Sequence, residues 1–379
     1  MSSKSFISFY EGIDEIPVNQ DLHNLELHFN RRRALYSDLG LPEALLSRAD
    51  ILEFGPGSGD NAIYLDSLSP RSLTLVDGSL PSIRSLTQKA LEGSLQAASI
   101  VHSNIETFEC NNFHDVVLCE GLIPGQADPV KVLRAAARHT KPGGVFVFTT
   151  ACHVSLLSEV MRRSLHPLLC EVARSHQIDS LEFEISFFDK HLSRLRHSSR
   201  FTRDWVLDCI VHPWADRFEF NVADGIVALA HDFEFYSSNP RFMSDWRWYK
   251  SKTGPCNNMN ALASEQFWNT RPVYLSTRSQ VTHYSKGVSV RVSKLSNDIY
   301  EIHNQLRSKN DFNIELYNVM VEKAMKIAEL CKAKHISEAM HGYSRGVGML
   351  LEKKVDADFG EFASFWGRGQ SYISMLRKK

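Results

Sequence analysis

Ile51-Leu-Glu-Phe-Gly-Pro-Gly-Ser-Gly-Asp-Asn61 decides the reading of this chain: an apolar strand runs straight into glycines at 55, 57 and 59, and Ala62-Ile-Tyr-Leu65 then opens a helix. Glycines at alternate positions admit backbone angles closed to other residues and remove the side chains that would hold a ligand away from the peptide backbone. The helix that follows offers its amide-rich N-terminus to the same space. The pattern describes a strand that ends beneath a nucleotide.

The spacing says which nucleotide. A dinucleotide-binding loop reads G-x-G-x-x-G, whereas this one reads G-x-G-x-G with Glu53 two residues before the first glycine. A second strand, Leu73 to Asp77, ends in an acid 18 residues after Gly59, where a carboxylate can accept both hydroxyls of a ribose. Lys141-Pro-Gly-Gly144 precedes another strand, Val145 to Thr150, and the chain contains no Tyr-x-x-x-Lys pair. Together these blocks resemble the class I S-adenosylmethionine-dependent methyltransferases over residues 49–155.

That resemblance implies a Rossmann-like, doubly wound, mostly parallel sheet and S-adenosylmethionine as cofactor. By position, Glu53, Gly55, Gly57 and Gly59 would face the methionine moiety, Asp77 the ribose, and Gly78 and Ser79 the ribose and adenine edge. Asn104 falls where the family places an adenine contact, although Ser103-Asn104-Ile105 departs from the more usual acid followed by a small residue.

At 379 residues the chain has room for this core and a substantial accessory region. The expected division is an N-terminal helical cap (1–48), the cofactor core (49–155), a substrate-specific insert with the closing strands (156–280) and a helical C-terminal region (281–379). A net charge of -1 with basic residues only in short runs, such as Arg31-Arg-Arg33, disfavours a nucleic-acid substrate. No apolar run approaches the roughly 18 residues of a membrane span, and the N-terminus lacks the apolar core of a secretory signal, so the expected location is the cytoplasm. The seven cysteines stand singly, and none of the 16 histidines forms an H-x-x-x-H or zinc-type cluster, so no metal is expected.

Strands Ile51–Phe54, Leu73–Asp77, Ser99–His102, Asp115–Cys119 and Val145–Thr150 alternate with helices, and Phe233–Tyr236 and Val273–Leu275 are expected to complete the sheet. Residues 155–173 read as a helix interrupted at Pro167, Leu181–Phe187 fits strand or helix, and Thr202 is placed as the cap of a helix stopped by Pro213. In the tail, Leu295, Ile299, Ile302 and Leu306 share one face, as do Ile314, Tyr317, Val321, Ala324, Ala328 and Cys331. Those faces suit packing on the core or a homodimer. The glycine-rich stretch His341–Gly348 reads as a loop.

Methyl transfer requires alignment of an acceptor with the methyl–sulfur bond and, for a protonated acceptor, removal of a proton. Ligands of this fold gather at the carboxyl ends of the strands, which makes Glu120 either the first expected base or a cofactor contact, and His153 the second expected base. Cys119 lacks the Pro-Cys context of a cytosine-methylating nucleophile, and the Asn/Asp-Pro-Pro-Tyr signature of amino-methylating DNA enzymes is absent. The polar and aromatic run from Tyr236 to Lys250 supplies the expected substrate contacts, Arg241, Trp246, Arg247 and Tyr249, with 245–250 drawn as a helix. Packing rather than site closure is expected of Trp366. The expected activity is methylation of an oxygen or nitrogen of a small polar acceptor. Its rivals are methylation of a protein or glycan, a cofactor-binding scaffold without catalysis, and a dehydrogenase on the same sheet.

Overall fold

The computed structural model describes residues 6–195, 198–212, 219–252, 258–308 and 313–379. The chain divides into two compact units, one made of Met1–Ala151, Arg217–Phe267 and Gln370–Lys379, the other of Cys152–Asp216 and Trp268–Gly369.

The first unit is built on a seven-stranded sheet of β1 (Asp50–Phe54), β2 (Ser72–Asp77), β3 (Ala98–His102), β4 (His114–Cys119), β5 (Thr140–Thr150), β6 (Phe233–Asn239) and β7 (Ser371–Arg377). Their order is β3-β2-β1-β4-β5-β7-β6, with β1 to β5 parallel and β7 antiparallel to both its neighbours. Both faces of the central strands are covered, which explains why they read as nearly continuous apolar runs. On one face Ile51, Leu73, Leu75, Val116, Leu118, Val145 and Val147 pack with Tyr36, Leu39, Tyr64, Leu65 and Leu86 from the flanking segments. Strand order reverses between β1 and β4, and it is outside the carboxyl ends of strands at such a switch point that a doubly wound sheet opens its crevice.

Two expectations about the sheet change. Val273–Leu275 is not a strand: it lies in the buried 3₁₀ turn Arg271–Leu275 of the second unit. The closing strand is instead Ser371–Arg377, inside the tail expected to be helical, where it pairs with β5 and β6.

In the second unit, helices Leu157–Arg163 and His166–Ser175 replace the single interrupted helix, with Pro167 in the first turn of the latter, where its missing N–H costs nothing. Residues 181–187 lie within the helix Ser180–Leu192, capped by Asp179. Phe201, not Thr202, precedes the helix Thr202–Trp205, which continues as a π-helical turn, Val206–Val211; Pro213 falls outside the described residues. Helices Lys286–Ser308 and Ile314–Cys331 bury Ile299, Ile302, Leu306, Tyr317, Ala324 and Ala328, while Ile314 is exposed. His341–Gly348 is helical, within Lys334–Leu351, and two of its glycines, Gly342 and Gly346, serve close packing: a Cβ on Gly342 would stand 2.3 Å from the carbonyl oxygen of Phe359. Trp366 is buried, with the Arg162 guanidinium stacked 3.7 Å above its ring.

Candidate active site

The glycine loop leaves β1 with Gly55, Gly57 and Gly59 all at positive φ, between 58° and 83°. Gly55 donates its N–H to Val76 O of β2 (2.8 Å), and a Cβ there would lie 2.4 Å from Leu122 Cδ1, so neither its conformation nor its surroundings admit a side chain. Gly59 precedes the helix Asp60–Ser67.

Asp77 closes β2 and is almost fully buried. Its Oδ2 accepts from Gly57 N–H at 3.2 Å and its Oδ1 from Ser79 N–H at 2.9 Å, which ties the second strand to the loop of the first. Burial raises its pKa against the pull of those two bonds. Beside it, a Cβ on Gly78 would lie 2.6 and 2.8 Å from Asn104 Oδ1 and Ile7 Cδ1, whose side chains would have to shift. The N-terminal segment thus lies along the loop: helix Phe6–Ile13 reaches Gly78, Val18 packs on Gly57, and Gln20 N–H donates to Asp60 Oδ2 at 2.7 Å.

Glu53 is 3% exposed, and its Oε2 meets no hydrogen-bond partner among the described residues; Ser79 Oγ is buried in the same condition. Burial pushes the Glu53 carboxyl up to about 8, Glu120 adds to the shift, Arg32 opposes it, and Asp77 adds again. An unpartnered buried carboxyl beside a glycine cradle is the donor set expected where a polar, positively charged ligand sits.

Glu120 follows β4 and is held very differently. Arg32 Nη2 donates to both of its oxygens, at 2.7 and 2.8 Å, and Tyr36 Oη donates to Oε1 at 3.1 Å. The ion pair is buried, with the two side chains 7% and 8% exposed. Burial works against the Arg32 charge, but Glu120 and Tyr36 outweigh it and hold the guanidinium above its ordinary range. Tyr372, from β7, is pushed up to about 12 by burial and by Glu120.

The sequence missed Arg32, Tyr36 and Tyr372. Arg32 was hidden in the run Arg31–Arg33, yet its spacing of four residues from Tyr36 on the helix Leu25–Asp38 marks a shared face. Tyr372 lay in a tail read as helical.

His153, the other expected proton acceptor, belongs to the second unit. It is buried, its ring stacks on Tyr300 with centroids 3.9 Å apart, and its Nδ1 donates to Asn297 Oδ1 at 2.7 Å. Cys119 is fully buried and its thiol is pushed far up by burial, the opposite of an activated nucleophile.

The two arginines among the expected substrate contacts are engaged in ion pairs. Arg241 pairs with Asp38, and Arg247 grips Asp245 through Nε and Nη2, each at 2.9 Å. Instead of a helix over 245–250 there is only the 3₁₀ turn Tyr249–Ser251, because Asp245 spends its carboxylate on Arg247 and Lys252. Trp246 is 95% exposed, and Tyr249 also faces solvent.

Residues 52–148 match the family described as methyltransferase domain. That match runs along the parallel strands from β1 to β5, so this segment is similar to methyltransferase domains. No curated protein matches the chain. Among solved structures, the N-methyltransferase NodS from Bradyrhizobium japonicum WM9, in complex with S-adenosylhomocysteine, is 17% identical over 38% of this chain and 74% of that one, with a TM-score of 0.31. A S-adenosylmethionine-dependent methyltransferase from Clostridium acetobutylicum is 20% identical over 35% and 59%, with a TM-score of 0.29. A putative sarcosine dimethylglycine methyltransferase from Galdieria sulphuraria is 13% identical over 93% and 88%, with a TM-score of 0.39. Among the described residues no helix is long and apolar enough to cross a membrane.

Proposed function

We propose that this protein transfers a methyl group from S-adenosylmethionine to an oxygen or nitrogen of a small polar metabolite. The observation that carries the reading is Glu53: a buried carboxyl with an oxygen that has no partner among the described residues, at the mouth of a loop whose three glycines all take positive φ. S-adenosylmethionine supplies a sulfonium methyl open to in-line displacement and carries positive charge on its methionine end. A cation at that position draws Glu53 into its ionised form and satisfies the orphaned oxygen.

Asp77 is the proposed ribose ligand. Gly57 and Ser79 amides fix its carboxylate, and each oxygen keeps a second lone pair for a hydroxyl. Gly78, Ser79 and Asn104 would border the adenine, and the segment from Ile7 to Gln20 would shield the cofactor from water. Glu120 receives a new role in this reading. Clamped by Arg32 and Tyr36, its carboxylate orders the end of β4 instead of taking a proton, which leaves His153 as the acid–base candidate named by the sequence. The small-metabolite acceptor is supported by the near-neutral charge of the chain, which lacks the overall basic excess that phosphate-backbone binding calls for.

Calorimetric titration with S-adenosylmethionine, S-adenosylhomocysteine and nicotinamide cofactors tests the reading. Micromolar binding of the first two and none of the third is expected, and Asp77→Ala should weaken binding by about 1.5–3 kcal/mol, the range for hydrogen bonds to a charged group. Tight nicotinamide binding, or an unchanged dissociation constant in Asp77→Ala, would overturn the assignment.

A further inference from the structure

The second unit contains a cluster unrelated to methyl transfer. Helix His166–Ser175 carries His166 and Cys170 one turn apart, and the next helix, Ser180–Leu192, brings Glu184 to the same point. One donor atom from each of the three lies within 4.8 Å of the others. His166 Nδ1 is 2.6 Å from Glu184 Oε1 and 3.8 Å from Cys170 Sγ. Glu184 is 1% exposed, while the side chain of His166 is 26% exposed and Cys170 is half-buried, so the cluster has a closed floor and an open side.

We propose that His166, Cys170 and Glu184 form a binding site for a divalent transition-metal ion of the zinc type, with a solvent molecule as fourth ligand. The donor set is the first argument. A thiolate, a neutral imidazole and a carboxylate carry two negative charges, which a divalent ion neutralises, and the sulfur selects a zinc-like ion over magnesium or calcium. Geometry is the second. Tetrahedral ligands at zinc distances stand roughly 3.3–3.6 Å apart, so from 3.8 Å the histidine–cysteine pair has to close by a few tenths of an ångström, and from 2.6 Å the histidine–glutamate pair has to open by about 0.7 Å. That is within the reach of side-chain rotation on two rigid helices. A simple histidine–glutamate ion pair would account for two of these groups and leave the thiol beside the same nitrogen without a purpose. On binding, the thiol proton leaves to solvent as Sγ takes the metal, and the ion ties the two helices together. A pattern search for H-x-x-x-H and C-x-x-C passes over this site because its spacing is H-x-x-x-C with the third ligand on another helix.

The full-length protein, stripped with a chelator and titrated with Co²⁺, tests the proposal. The expected result is one equivalent bound, with a thiolate-to-cobalt charge-transfer band in the near ultraviolet that Zn²⁺ displaces. Cys170→Ser should abolish the band while leaving the circular dichroism unchanged. His166→Gln and Glu184→Gln should weaken Co²⁺ binding by more than the about 10–100-fold typical of an outer-shell partner. Absence of a stoichiometric band would overturn the site, and so would a band undiminished in Cys170→Ser, which would place the sulfur at one of the other six cysteines.

Discussion

Glu53 and Glu120 stand at the ends of neighbouring strands, β1 and β4, and both are buried, yet they are treated in opposite ways. Glu120 has a guanidinium on both oxygens and a phenol on one of them. Glu53 has an oxygen with no partner among the described residues and a pKa raised to about 8. A buried carboxylate with a matched counter-ion belongs to the scaffold, whereas one left with its desolvation uncompensated sits where something else is to bind. In the proposed reading, the difference separates the cofactor side of the crevice from the part of the sheet that supports it.

The contrast breaks most visibly at Arg32. Arg32→Ala strands Glu120 as an unpaired buried charge facing Glu53, and should destabilise the protein by about 3–5 kcal/mol in denaturant unfolding. A loss below about 1 kcal/mol would put the pair in the class of surface ion pairs.

Glu53→Gln sharpens the other half. The folded protein holds the Glu53 proton up to about pH 8, while the unfolded chain releases it near 4.5. The native state therefore binds more protons across that window, and stability present below 4.5 is lost as pH rises to about 8, by about 1.4 kcal/mol per unit at most. In Glu53→Gln this decline should flatten, so that cofactor-free wild type and variant diverge by a few kcal/mol at pH 8 and converge near pH 4.5. Parallel pH–stability curves would show that Glu53 is already compensated.

Glu120→Gln should lower turnover at saturating cofactor by less than about tenfold, because the carboxylate serves Arg32 and takes no proton. A loss of a hundredfold or more at intact cofactor affinity would restore it as the base. The smallest effect belongs to Trp246→Ala, which should change stability by no more than about 0.5 kcal/mol, as for other side chains that touch little.

The residues that were legible are those whose neighbours in sequence fix their chemistry. Gly55, Gly57 and Gly59 reveal a loop by spacing alone, and the acid at the end of β2 follows from strand length. Arg32 and Tyr372 were not legible, because each acquires its role by meeting Glu120 across the fold. A short apolar run such as Val273–Leu275 has no period long enough to separate a strand from a buried turn. Gly342 and Gly346 looked like loop residues although they lie in a helix, where they admit Phe359: a Cβ on Gly346 would stand 2.4 Å from its ring.

What the sequence by itself determined is the parallel half of the sheet and its glycine loop, since strand periodicity, positive-φ glycines and a terminal acid are local properties of the chain. Tertiary structure alone decided which strand closes the sheet, which buried carboxylate is neutralised and which is left open, and which arginine is buried. Strand pairing and ion pairing join residues far apart in sequence, and burial converts the same carboxyl group from a solvated charge into either an anchored one or a waiting one.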